Sequence, residues 1–179
     1  MSTPIVVVEY GRVEEIDHSR LAGQLAQVFG REAIVGSSRP VPVRGFNESR
    51  NQYLAGAFLG DLRQRAAPDA KNLGVTAVDL YSRGLNLVFG QADVGGTAAV
   101  ISSARLHPED LDGGVGVLEL LRERILKEAI HELGHAFGMT HCRDKYCIMH
   151  FSRSLPDTDI KGPGFCHRHK AELLTAQAD

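Results

Sequence analysis

Residues 131–149, HELGHAFGMTHCRDKYCIM, place three histidines, one glutamate and two cysteines in 19 positions. This segment constrains the fold more than any other. His131 and His135 stand at i and i+4, so on a helix they project from one face, a turn apart, where two imidazoles reach a single tetrahedral zinc. Leu126, Ile130, Leu133 and Phe137 recur as one apolar stripe and predict a long helix from about Val117 to Phe137. Glu132 lies about 100° round that helix from His131. It can stand beside the metal without ligating it, the place for a general base acting on metal-bound water. Gly138 can end the helix with positive φ and turn the chain so that His141 approaches the same metal. Three protein nitrogens leave a fourth position open, as in a catalytic zinc site. Chance would supply the extended H-E-x-x-H-x-x-G-x-x-H pattern with an expectation on the order of 10⁻⁴, so the three histidines read as one site.

All three cysteines and six of the eight histidines lie in the last 49 residues of the 179. An odd number of cysteines makes no disulfide framework. Unpaired cysteines at short spacing in a reducing compartment point to zinc. Cys142, Cys147 and Cys166, with His169, compose a closed Cys₃His site, which is structural because no position is left for water. His167 is the lesser candidate for the fourth ligand. Successive side chains diverge, so His141 can face one metal and Cys142 the other. Two zinc ions per chain are expected, one catalytic and one structural.

The rest of the chain reads as one domain over 1–179, with an α/β (α+β) part, 1–137, ending in the active-site helix. A loop-rich subdomain, 138–179, closes on a short helix at "CHRHKAELLTAQ". "PIVVVEY" (4–10) reads as a buried strand, Asp17 to Phe29 as a helix stopped by Gly30, and Asn51 to Arg65 as a second amphipathic helix. "AIVG" and "VPV" read as short strand pieces, and "LGVTAVDLY" (73–81) and "LNLVFGQAD" (85–93) as strands. "TAAVISSARL" (97–106) reads as the hairpin partner across the "DVGG" turn. A Gly-rich loop, "LDGGVG", precedes the long helix. "LRERILK" and "HRHK" read as wet helix faces, and His18 and His107 as solvated. A net charge of −2 gives no field favouring nucleic acid or anionic membrane. The amino-terminal apolar run is too short to span a bilayer and lacks a basic lead, so a cytoplasmic protein is expected, monomeric by default.

"HELGHAFGMTH" resembles the metzincin zinc metallopeptidases. Cys142, Cys147 and Met149, in "HCRDKYCIM", point to the archaemetzincin branch. The likeness is tight over 127–149 and departs twice further on. The interval from Met149 to Cys166 is one residue short of the family pattern, and His169 stands where the family shows a second cysteine. The resemblance implies a metzincin-like mixed sheet with backing helices, Met149 as the methionine turn beneath the metal, and a peptide substrate laid along an edge strand. "TAAVISSARL" is the candidate edge, and the loop after Met149 the wall of a specificity pocket. Tyr146 and His150 flank the turn as candidate carbonyl-polarising groups; the position where some metzincins carry a tyrosine is Phe151.

The chemistry expected is hydrolysis of peptide bonds by a water that Glu132 activates at the zinc. Two other readings stand beside it. One is a metal-dependent ribonuclease with the same histidine spacing, against which Glu132 and the mild negative charge argue. The other is a catalytically silent zinc fold that binds peptides.

Overall fold

The structure, a computed structural model, describes residues 3–108 and 115–178. The start of the Gly-rich "LDGGVG" loop lies outside them. A five-stranded sheet, in the order β2-β1-β5-β8-β7, forms the centre. Its strands are β1 (Ile5–Tyr10), β2 (Ala33–Val35), β5 (Lys71–Thr76), β7 (Gly90–Ala92) and β8 (Ala98–Ser102). Four run parallel, and β7 alone is antiparallel, paired with β8. A smaller sheet joins β3 (Phe46–Asn47), β4 (Gln52–Leu54) and β6 (Leu80–Tyr81) in the order β3-β4-β6.

The unbroken apolar run of β1 follows from burial on both faces, the signature of a parallel sheet covered by helices. Ile5 and Val7 point into one core with Leu25 and Phe29 of α1 (His18–Phe29) and with Ile125, Ala129 and Leu133 of α3 (Val115–Ala136). Val6, Val8 and Tyr10 point into the other, against Phe58, Leu59 and Leu62 of α2 (Ala55–Arg65). Burying each such large side chain stabilises the fold by roughly 1.5–3 kcal/mol. Asp17 caps α1 by accepting from the Arg20 N–H at 3.0 Å, and Gly30, at φ 61°, ends it.

Several expectations are corrected. "TAAVISSARL" contributes only Ala98–Ser102, and that strand is interior, hydrogen-bonded to β5 on one side and β7 on the other. The edge on that side of the sheet is β7, to which the strand expected over 85–93 contracts. The helix expected from Asn51 starts at Ala55, because Gln52–Leu54 pairs with β3 and β6. "LGVTAVDLY" divides into β5 and β6, and Val43–Gly45 is a turn of 3-10 helix rather than strand. The carboxy-terminal helix, α5 (His167–Ala178), is as expected, but α4 (Leu155–Ile160) is an addition.

"LRERILK" is not a wet face throughout. Arg124 and Lys127 are buried. The Arg124 guanidinium donates to both carboxylate oxygens of Asp159, at 2.8 and 2.7 Å, and Lys127 Nζ donates to the Asp159 carbonyl at 3.1 Å. Bonds to charged groups thus fasten α4 along α3. Among the described residues no helix is long and apolar enough to cross a membrane.

Candidate active site

Helix α3 carries His131 and His135 to its carboxy-terminal end, where Gly138 at φ 93° terminates it. The Gly138 N–H donates to the His135 carbonyl at 2.8 Å, and the Met139 N–H to the Gly134 carbonyl at 2.9 Å. These two bonds are the paired closure of a helix end on left-handed glycine. They reverse the chain at once and bring His141 back over the last turn.

The outcome is a convergence of three nitrogens. His135 Nε2 lies 3.2 Å from Nε2 of His131 and 3.2 Å from Nε2 of His141. A tetrahedral zinc with arms of about 2.0–2.1 Å has nitrogen–nitrogen edges of roughly 3.3–3.4 Å, so the donor set fits that ion. Orientation comes from the opposite ring atoms. His131 Nδ1 donates to the Ile148 carbonyl and His135 Nδ1 to the Met139 carbonyl, each at 2.8 Å. A carbonyl only accepts, so the proton sits on Nδ1 and the Nε2 lone pairs face each other. Burial, aided by the nearby Lys161 ammonium, holds the pKa of His131 well below the imidazole range. Burial lowers His135 and His141 as well, so all three are ready as neutral ligands.

Glu132 is buried beside them, and burial, with Glu128 adding to it and Lys161 opposing, pushes its carboxyl well above the usual range. Its side chain lies against the edge strand. A Cβ at Gly90 would sit 2.6 Å from Glu132 Cγ and 2.8 Å from the Val100 carbonyl oxygen, so only glycine fits there. Gly134 has a similar role on the other side of α3, where a Cβ would collide with Met149 Sδ. The fully buried Met149 therefore packs directly on the helix that bears the histidines. Sequence reasoning assigned no role to either glycine; each is demanded by a neighbour distant in the chain.

A second cluster adjoins the first. Cys142 Sγ is 3.9 Å from Cys166 Sγ, and His169 Nδ1 is 3.5 Å from Cys147 Sγ and 3.3 Å from Cys166 Sγ. For zinc the corresponding edges are roughly 3.8 Å between sulfurs and 3.5 Å between sulfur and nitrogen, computed from the usual bond lengths. All four ligand atoms lie within 4.8 Å of one another. His169 is fully buried and its Nε2 meets the Thr140 carbonyl at 3.1 Å, which turns Nδ1 inward, while His167 is exposed. Burial raises the Cys147 thiol to about 11. For Cys166 burial acts in the same sense but is outweighed by hydrogen bonds from the His169 backbone and side chain, which bring the thiol down to about 6.

The two clusters share one loop. The Cys142 N–H donates to the Met149 carbonyl at 2.8 Å, and His150 Nδ1 to the Cys142 carbonyl at 2.9 Å. His150 is thus committed to the loop, and Tyr146 is an exposed residue; neither lines the cleft beside the histidines, whereas Phe151 does. His18 and His107 lie apart. His18 is not solvated but half-buried, 3.9 Å from Glu9, and the more open His107 stands 3.5 Å from Glu15.

Known proteins resemble this chain in sequence and in fold. Residues 42–175 match the model of peptidase family M54. The archaemetzincin of Methanopyrus kandleri is 42% identical over 149 residues, 83% of this chain and 81% of that protein. Its crystal structure superposes with a TM-score of 0.87 at 38% identity, covering 99% of this chain and 97% of that one. A zinc-dependent peptidase from Methanocorpusculum labreanum superposes with a TM-score of 0.80 at 29% identity, over 94% of this chain and 99% of that one. The chain therefore belongs to peptidase family M54, the archaemetzincin group of zinc metallopeptidases.

Proposed function

We propose that this chain hydrolyses peptide bonds with Glu132 as the proton carrier, His131, His135 and His141 holding a catalytic zinc, and Cys142, Cys147, Cys166 and His169 holding a structural one. The observation that carries the reading is the convergence of three imidazoles, two of them turned by backbone carbonyls, beside Glu132 and the edge strand. Bound in that first cluster, zinc supplies Lewis acidity, lowering the pKa of water and polarising the scissile carbonyl. Glu132 takes a proton from the attacking water and returns it to the leaving amine. Its buried position keeps bulk water from competing for that proton.

β7 is bonded to β8 on one side alone. Its other side offers backbone donors and acceptors to an extended peptide, which would add as a further strand. Gly90, in that strand and against Glu132, brings a peptide so bound next to the general base. The family match favours this reading over the ribonuclease.

The test is Glu132→Ala, loaded with zinc and assayed on a mixture of unstructured peptides. Cleavage is expected to fall by at least 10²-fold with zinc content unchanged, the scale of a lost general base. Cleavage retained at the native rate would contradict the role of Glu132.

A further inference from the structure

Beside the histidines lies a cavity of about 330 Å³ between the edge strand and the segment after Met149. Leu87, Val88, Phe89 and Phe151 give it apolar walls, and Glu128 contributes a carboxylate. Glu128 is only 3% exposed, so it forms floor rather than rim. A buried carboxylate in such a place would ordinarily recruit a cation from the substrate. Here the cation is already supplied from within. Lys161, 0% exposed, directs Nζ to Glu128 Oε1 at 3.3 Å, and Thr158 donates to the same oxygen at 3.1 Å.

We propose that the Glu128–Lys161 pair is the specificity determinant of this cleft: by cancelling the charge of its floor, it makes the cavity select an uncharged, apolar side chain beside the scissile bond. Apolar walls reward such a side chain, and the paired floor offers no counter-ion to a basic or acidic one. Arg153 also lines the cavity, but it is exposed and its charge is screened by solvent, so the paired floor decides. Glu128, one turn before Glu132 on α3, lines the floor itself, and Lys161 meets its carboxylate from behind, following α4, which Asp159 fastens to α3. The inference rests on the peptidase reading, since it names the side chain that the hydrolysed peptide presents.

The pair predicts two opposite switches. Without the ammonium, the carboxylate remains on the floor and a lysine side chain of the substrate can replace it. Without the carboxylate charge, the ammonium remains and a glutamate side chain can pair with it. The probes are three peptide hydroxamates identical except for a leucine, lysine or glutamate side chain next to the zinc-binding group. Their affinities for the zinc-loaded protein are measured by calorimetry, independently of turnover.

The wild-type protein is expected to bind the leucine probe at least tenfold more tightly than the other two. In Lys161→Met the lysine probe gains at least tenfold on the leucine probe, and in Glu128→Gln the glutamate probe does. Lys161→Met combined with Glu128→Gln restores the leucine preference, which a merely structural role for the pair would not produce. Equal binding of the three probes by the wild type, or ratios unmoved in the folded single variants, would overturn the inference while leaving the metal centre intact. Binding of none of them would overturn the reading of the metal centre, and this inference with it. Should Lys161→Met fail to fold, Glu128→Gln and the double variant carry the same decision.

Discussion

His141 and Cys142 are neighbours in the chain but belong to different donor clusters. His141 Nε2 faces His135 Nε2 at 3.2 Å, and Cys142 Sγ faces Cys166 Sγ at 3.9 Å. One peptide unit therefore joins the two candidate metal sites. The Cys142 N–H, bonded to the Met149 carbonyl, ties that unit to the turn beneath α3. Strain or loosening on the cysteine side must reach the histidine side through a very short rigid path.

Cys142→Ser should remove one thiolate from the second cluster without touching a histidine. Loss of a structural zinc ligand costs folding energy directly, because binding of the metal is coupled to folding. We expect a fall in melting temperature of several degrees or more, together with a weakened hold on the catalytic zinc as His141 loses its anchor. Calorimetric melting with a parallel zinc titration checks both. An unchanged melting temperature and unchanged zinc content would separate Cys142 from any metal.

Gly90→Ala tests the contact between the edge strand and Glu132, the proposed general base. The added methyl overlaps both Glu132 Cγ and the Val100 carbonyl oxygen, so the carboxylate or the strand must shift. A misplacement of about 1 Å at a catalytic group can cost on the order of 10²-fold in rate. Peptide cleavage should fall to that extent while the three histidines keep their zinc. Steady-state kinetics beside elemental analysis would show the split, and full activity in the variant would contradict it.

Far from the site, Tyr10 donates to Asp61 Oδ2 at 2.7 Å and Arg39 Nη1 to the same oxygen at 3.1 Å. Burial alone would raise the Asp61 carboxyl, but these two bonds and the nearby Arg65 outweigh it and lower the pKa. A folded-state value below the unfolded one means that the stabilisation is present above about pH 4, the ordinary aspartate value, and is lost as pH falls through the lower folded value. Comparing denaturation of Asp61→Asn and the wild type from pH 7 to pH 2.5 should show a gap that closes on acidification. A gap independent of pH would mean that the carboxylate charge is not what Tyr10 and Arg39 recognise.

What the sequence reveals is set by how local the cause is. The helix period alone places His131 and His135 on one face, and Gly138 announces the reversal that returns His141, so the first cluster is legible from about a dozen residues. The cysteines are legible by type, although only the fold shows that the Thr140 carbonyl turns His169 Nδ1 inward and leaves His167 outside. Strand order is a different matter. Ala98–Ser102 and Gly90–Ala92 both read as β-structure, and which of them is the edge depends on β5 arriving from elsewhere in the chain. Buried charge is hidden for the same reason. Arg124, Lys127 and Lys161 look like surface residues until α4, carrying Asp159, folds along α3. Gly90 and Gly134 have no local turn to explain them, since each is small for the sake of a side chain on another element.

If the chain divides its ligands between two zinc ions at the His141–Cys142 boundary, the number of zinc ions per chain reveals it. The measurement is elemental analysis after saturation and removal of loosely held metal, on the wild type and on a variant with His131 and His135 both replaced by alanine. Two zinc ions in the wild type and one in the variant are predicted, the remaining ion being held by Cys142, Cys147, Cys166 and His169. A single zinc in the wild type that survives unchanged in the variant would contradict the account, because the three converging imidazoles would then hold no metal.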